Sequence, residues 1–237
     1  MNTNEIKALV FDVQGTATDF RSTLAEEAAK LSAGRAAETD WGAFVDIWRG
    51  MYRPALDAVL SGAKPWTAVD TIYREALDRL LEERKLSFFS EAERQQLNFA
   101  WQKITPWPDV VEGLHRIKRK YKIATLSNAD VSAVINISKF GRLPWDAVFA
   151  AEMVGTFKPD PRTYRMAVGY LGVQPAEVMM VACHKYDLYA ARSLGLKTAF
   201  VARPLEFGPS GKVDVGFEGV FDINVNDFLQ LAEQLDC

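Results

Sequence analysis

Four short polar clusters in this 237-residue chain each come soon after an apolar run, and their side chains are those of covalent, acid–base and anion-binding chemistry. Asp12-Val13-Gln14-Gly15-Thr16 follows Ala8 to Phe11, and Ser127-Asn128 follows Ile123 to Leu126. Lys158-Pro159 stands a few residues beyond Ala147 to Ala150, and Cys183-His184-Lys185-Tyr186-Asp187 follows Val178 to Ala182. Each cluster alone is ordinary, because Asp, Ser and Asn commonly cap the helix that follows a strand. Their conjunction points to one shared site.

The apolar runs must be the elements that position these residues. Continuous runs such as Ile6 to Phe11 read as strands buried on both faces, and those at 123–126, 147–150, 178–182 and 198–201 repeat the pattern. Helical spacing over Pro161 to Leu171 and Leu188 to Leu194 alternates with them, which predicts an α/β fold with a parallel, Rossmann-like sheet. Such a sheet puts its ligand outside the carboxyl ends of the strands, where the four clusters fall. Residues 18–101 differ, with no convincing strand. Trp41, Phe44, Val45, Trp48, Met51, Tyr52, Ala55, Leu56 and Val59 follow helical spacing behind Asp40 as N-cap, with a kink expected at Pro54. A second stripe runs from Trp66 through Val69, Ile72, Tyr73, Ala76, Leu77, Leu80 and Leu81, and Ser90 with Glu93 opens a third helix with the spacing of a capping box. The stretch is predicted to be an all-helical insertion whose aromatic residues are core.

These motifs resemble the haloacid dehalogenase superfamily, which has an Asp after the first strand, a Ser or Thr after the second, a Lys, and an acidic cluster after the fourth. The resemblance covers nearly the whole chain and implies a sheet core at 1–17 and 102–237 under a helical cap at 18–101. The superfamily's phosphatases carry a second Asp two residues after the nucleophile, where this chain has Gln14. They also hold Mg²⁺ with further carboxylates in the fourth motif, where it has Cys183. Few hard oxygen ligands remain for a metal. The chain looks like the L-2-haloacid dehalogenase branch: Gly15-Thr16, Trp48-Arg49 in the cap, Ser127-Asn128, Lys158 with Tyr164 six residues later, and Asp187 all match. It departs from that branch at Gln14, at Ala182 and at His184, where an aromatic residue, Ser and Asn are usual.

The resemblance implies hydrolysis of a short 2-haloacid to the 2-hydroxyacid without metal or other cofactor. Asp12 would attack the halogen-bearing carbon and form an ester, with Lys158 keeping it ionised and Thr16 holding its second oxygen. Ser127 would receive the substrate carboxylate, Arg49 and Asn128 the departing halide, and Gln14, Tyr164 and Tyr186 would complete the substrate and halide pocket. His184, three residues before Asp187, is expected to lie on the same side of the following helix's first turn and to share the hydrolytic water with it. Two other readings stay open. A phosphonatase-like or phosphatase-like hydrolase of the same superfamily would need Mg²⁺, and the phosphonatase a cap lysine, for which Lys64 is available. A binding module that keeps only the fold is the other.

Composition limits the remaining classes. With 49% apolar residues a sizeable core can form, and 28 basic against 31 acidic residues leave a net charge of -3 without a lasting block of one sign. Nucleic acid is therefore not an expected partner, and the basic run Arg116 to Lys122 reads as a helix end entering a strand. Cys183 and Cys237 are far apart and lack zinc spacing, which suits a reducing cytoplasm. No apolar run reaches the roughly 18 residues of a membrane helix. Met1 to Lys7 lacks the regions of a signal peptide. The resembled branch implies a homodimer.

Overall fold

Strands with both faces covered need apolar side chains at every position, and the central strand β1 (Ala8–Phe11) is buried throughout. Leu9 and Phe11 enter the hydrophobic cluster on one face of the sheet and Val10 the cluster on the other. Around it lie β4 (Lys122–Thr125), β5 (Val178–Ala182), β6 (Lys197–Val201) and β7 (Ile223–Val225), all parallel, in the order β4-β1-β5-β6-β7. Phe11 pairs with both Thr125 and Val181, so the residues after β1, β4 and β5 leave the sheet at the same end. This computed structural model describes residues 3–237; Met1 and Asn2, the start of the segment Met1 to Lys7 considered above, lie outside the described residues.

Helices α5 (Val110–Lys118), α6 (Val131–Gly141), α7 (Pro161–Leu171), α8 (Lys185–Ser193) and α9 (Phe228–Gln234) complete the layers around the sheet. The strand expected at 147–150 reduces to isolated bridges, Ala147 with Ala124 and Ala150 with Ser127. The reason is a side-chain substitution in the ladder: the Thr125 hydroxyl donates to the Phe149 carbonyl and accepts from the Phe149 N–H.

A short antiparallel ribbon, β2 (Thr18–Asp19) with β3 (Thr105–Pro106), stands where the chain leaves the sheet and returns. Between its strands lie α1 (Phe20–Ser32), α2 (Trp41–Leu60), α3 (Val69–Glu83) and α4 (Glu91–Phe99), which form the helical cap. Asp40 caps α2 by accepting from the Ala43 N–H, and Ser90 and Glu93 form the reciprocal box on α4. The helix α2 continues through Pro54. Trp66 precedes α3 and is exposed. The apolar stripes of α2 and α3 meet in a ring cluster in which Tyr73 stacks on Trp101 at 3.8 Å with planes 5° apart, and Trp48 packs edge-on to both.

The first turn of α3 has no side-chain cap of its own. Its N–H groups at Val69 and Asp70 donate instead to the two carboxylate oxygens of Asp130, at 2.9 and 2.8 Å, and Asp130 is the residue immediately before α6. One carboxylate thus answers the unpaired donors of the cap helix.

Candidate active site

Asp12 follows β1 directly and is almost fully buried. Its Oδ1 accepts from the Lys158 ammonium at 3.0 Å, while Oδ2 accepts from the Thr16 hydroxyl at 2.7 Å and lies 3.0 Å from His184 Nδ1. Burial alone would raise the carboxyl. The Lys158 charge, the His184 contact and the Thr16 hydroxyl outweigh it and hold Asp12 well below the usual carboxylate range.

Lys158 is 1% exposed and bridges two carboxylates, Asp12 and Asp187, the latter at 2.5 Å. Asn128 fixes its backbone by accepting from the Lys158 N–H at 2.7 Å. Asp187 is fully buried, and its other oxygen accepts from the Tyr164 hydroxyl. Burial raises the Asp187 carboxyl, against the Lys158 ammonium. Burial would lower the Lys158 ammonium, but Asp12 and Asp187 together hold it charged, well above its ordinary value.

His184 and Asp187 do not share a site for one water, contrary to the expectation from their spacing. Asp187 is taken up by Lys158 and Tyr164, whereas His184 turns to the other oxygen of Asp12 and presents Nε2 to Glu206 Oε1 at 2.9 Å. His184 stands immediately before α8, and its ring makes no capping bond there. Burial would lower the imidazole, but the Glu206 carboxylate and the bond to Asp12 lift it well above its ordinary value. Burial pushes the Cys183 thiol up, so it stays protonated.

The cap supplies the opposite wall. The Arg49 guanidinium lies 4.2 Å from the centre of the Tyr52 ring and donates to the Tyr73 hydroxyl at 2.8 Å. Tyr73 in turn donates to Gln14 Oε1 at 3.0 Å. Asp12, Gln14, Arg49, Tyr52, Ser127, Asn128, His184 and Tyr186 line a cleft of roughly 10 Å³, with room for about one water. Outside it, Arg53, Tyr186, His184 and Glu206 border a mouth of about 450 Å³. The Ser127 Oγ accepts from the Ala129 N–H, which leaves its own proton free to be donated into the cleft.

The donor set does not fit Mg²⁺. The Lys158 ammonium occupies the space between the two carboxylates that would hold it, the Gln14 oxygen is engaged by Tyr73, and position 183 offers a thiol. Cys183, His184 and Glu206 lie within 4.8 Å of one another, but both imidazole nitrogens already face carboxylates, so the group is a hydrogen-bonded cluster. Lys64, the cap lysine of the phosphonatase-like reading, is exposed in the turn between α2 and α3 and does not line the cleft.

Sequence reasoning missed Tyr52, Tyr73 and Glu206 as site residues. The two tyrosines were legible only as members of core stripes, and Glu206 lies in an irregular segment after β6 with no motif around it.

Residues 6–195 match the family of haloacid dehalogenase-like hydrolases. The chain is 30% identical to (S)-2-haloacid dehalogenase 4A of Burkholderia cepacia over 84% of each sequence. Among solved structures it is similar to a defluorinating L-2-haloacid dehalogenase, with 39% identity, a TM-score of 0.93 and coverage of 98% of this chain and 96% of the other. It is also similar to the L-2-haloacid dehalogenase of Xanthobacter autotrophicus with chloropropionic acid covalently bound, with 25% identity, a TM-score of 0.79 and 98% coverage of both.

Proposed function

The chain belongs to the haloacid dehalogenase-like hydrolases, and from that premise we propose that it hydrolyses short 2-haloacids to 2-hydroxyacids through an ester on Asp12. The observation that carries this reading is a buried, ionised Asp12 set between Lys158 and His184, with a cap arginine across the cleft and an amide in place of a proton-donating carboxyl at position 14.

Asp12 attacks the carbon bearing the halogen, the carbon–halogen bond breaks, and the halide leaves with the bonding pair. Lys158 keeps the nucleophile charged, and Thr16 fixes its second oxygen. The Ser127 hydroxyl and neighbouring backbone N–H groups receive the substrate carboxylate. Arg49 and Asn128 meet the charge that develops on the halide, while Gln14, through Tyr73, keeps Arg49 aimed. Tyr186 closes the mouth, and Tyr164 acts through Asp187 and Lys158. Water then attacks the ester carbonyl and frees the product.

The same reading assigns 1–17 and 102–237 to the catalytic core and 18–101 to the cap, supported by the ribbon at their junction. It places the enzyme in the cytoplasm, consistent with two free thiols. It takes the chain to be a homodimer that engages neither nucleic acid nor membrane. The net charge of -3 speaks against nucleic acid. Among the described residues no helix is long and apolar enough to cross a membrane.

Halide release from haloacetates and 2-chloropropionates tests the reading. In one turnover in ¹⁸O-water the label should enter the Asp12 carboxylate and be missing from the first product. Label in that product refutes the ester route.

A further inference from the structure

We propose that Glu206 is the positioning residue of His184, so that His184 serves as counter-ion to Asp12 in the resting enzyme and as base toward water once the ester has formed. This rests on the dehalogenase reading above.

Glu206 is a buried carboxylate that the displacement step does not use. Its Oε1 faces His184 Nε2 at 2.9 Å and its Oε2 lies 3.8 Å from the Cys183 thiol, so both oxygens have donors. The loop carrying it is held rigidly. Glu206 donates its N–H to the Arg203 carbonyl, while the Arg203 side chain grips the Thr16 carbonyl and pairs with both oxygens of Asp109. Gly15, at φ +87°, leaves the carboxylate its space: a Cβ there would stand 2.4 Å from Glu206 Oε1.

The consequence is a fixed tautomer. A carboxylate accepts only, so Nε2 keeps its proton and the imidazole gains or loses its second proton at Nδ1, the atom that faces Asp12. In the resting enzyme the groups facing His184 are Asp12, Cys183, Glu206 and Tyr186, with Arg49 beyond Glu206 and Lys158 beyond Asp12. Asp12 and Glu206 together favour the imidazolium. Alkylation of Asp12 removes one of those charges, and Nδ1 releases its proton to solvent through the mouth.

The neutral imidazole then takes a proton from water as the hydroxide adds to the ester carbonyl. It returns that proton to the departing alkoxide, giving the 2-hydroxyacid and protonated Asp12. Finally the Asp12 proton passes to Nδ1 and restores the ion pair. One water is consumed, and one halide and one proton are released.

The test is Glu206→Gln, alongside Glu206→Asp. An amide at this position can donate to Nε2 and so move the imidazole proton to Nδ1, leaving no lone pair toward the ester. The first halide should still leave in a burst, after which hydrolysis slows by about 10²- to 10⁴-fold and the ester appears as added mass on the intact protein. In single turnovers the pH inflection of ester hydrolysis should move to lower pH, since the imidazolium has lost a carboxylate, and Glu206→Asp should restore part of both rate and inflection. A folded Glu206→Gln protein that turns over without accumulated ester, or with an unmoved inflection, overturns the inference. If that variant does not fold, the decision passes to Glu206→Asp, whose native rate and inflection would overturn it equally. Failure of the native protein to release halide overturns the dehalogenase reading and this inference with it.

Discussion

Tyr73→Phe removes one hydroxyl and leaves the rest of the ring cluster in place, because the stack on Trp101 at 3.8 Å needs only the ring. The hydroxyl has two partners. It accepts from Arg49 at 2.8 Å, a bond to a charged group, and it donates to the buried Gln14 oxygen at 3.0 Å. Leaving a buried acceptor unpaired costs about 1–3 kcal/mol. A mid-range loss of about 2 kcal/mol lowers Tm by about 4–8 °C in a protein of this size. Kinetically, Arg49 keeps its charge and loses its aim. If the lost charge-assisted bond, worth about 1.5–3 kcal/mol, is transmitted to the halide-leaving step, that step slows by about 10- to 100-fold. Stopped-flow detection of the first halide measures it directly, and no ester should accumulate, because the slowed step is itself the one that forms the ester. A Tyr73→Phe protein with lowered Tm and a native first-halide rate refutes the reasoning, since the hydroxyl would then serve the fold alone.

Arg49→Ala should lower turnover by about 10²- to 10³-fold with the protein still folded, as expected for a donor aimed at developing charge; near-native turnover would leave Arg49 outside the reaction. Activity should survive EDTA and gain nothing from Mg²⁺, measured as halide release, because Lys158 fills the space between Asp12 and Asp187. Lys158→Met leaves two buried carboxylates facing each other and should cost about 3–5 kcal/mol, read by thermal melting. The pH sign follows from Asp12: its folded value is depressed, so it contributes stability above an unfolded value near 3.9 and loses it as pH falls below that. First-halide release in the native enzyme should accordingly stay level down to about pH 4–5, and in Lys158→Met it should fall from a higher pH if any activity remains.

What was legible in the sequence had a local signal. Fully covered strands demand continuous apolar runs, so β1, β5 and β6 stand out, and their polar successors mark the site end of the sheet. The Asp40 cap and the Ser90–Glu93 box are readable because each spans one helical turn. The helix α1 had no such signal: of its buried positions only Phe20 and Leu24 are large and apolar, while Ala28 is small and Ser32 small and polar, too weak a stripe to read. Contacts made across the fold were illegible for another reason. Glu206 lies 22 residues from His184 and 194 from Asp12, and only the Arg203 anchor and the Gly15 gap bring it to the imidazole. Spacing suggested Asp187 as that partner, but Lys158, supplied by a different loop, had already claimed it.

The clasp of Asp130 on the first turn of α3 sets a timetable for exchange with solvent. The cleft holds about one water and adjoins the mouth at Tyr186 and His184; where a haloacid enters by the cap parting from the sheet, an outward swing of α3 from α6 breaks both Asp130 bonds. At about 1.5–3 kcal/mol each, their loss limits the open form to roughly one molecule in a hundred to one in ten thousand. A substrate that enters only the open form binds more weakly by that fraction, and the product faces the same wait before it can leave. The pace of the whole cycle can thus be governed by a carboxylate that touches neither substrate nor ester.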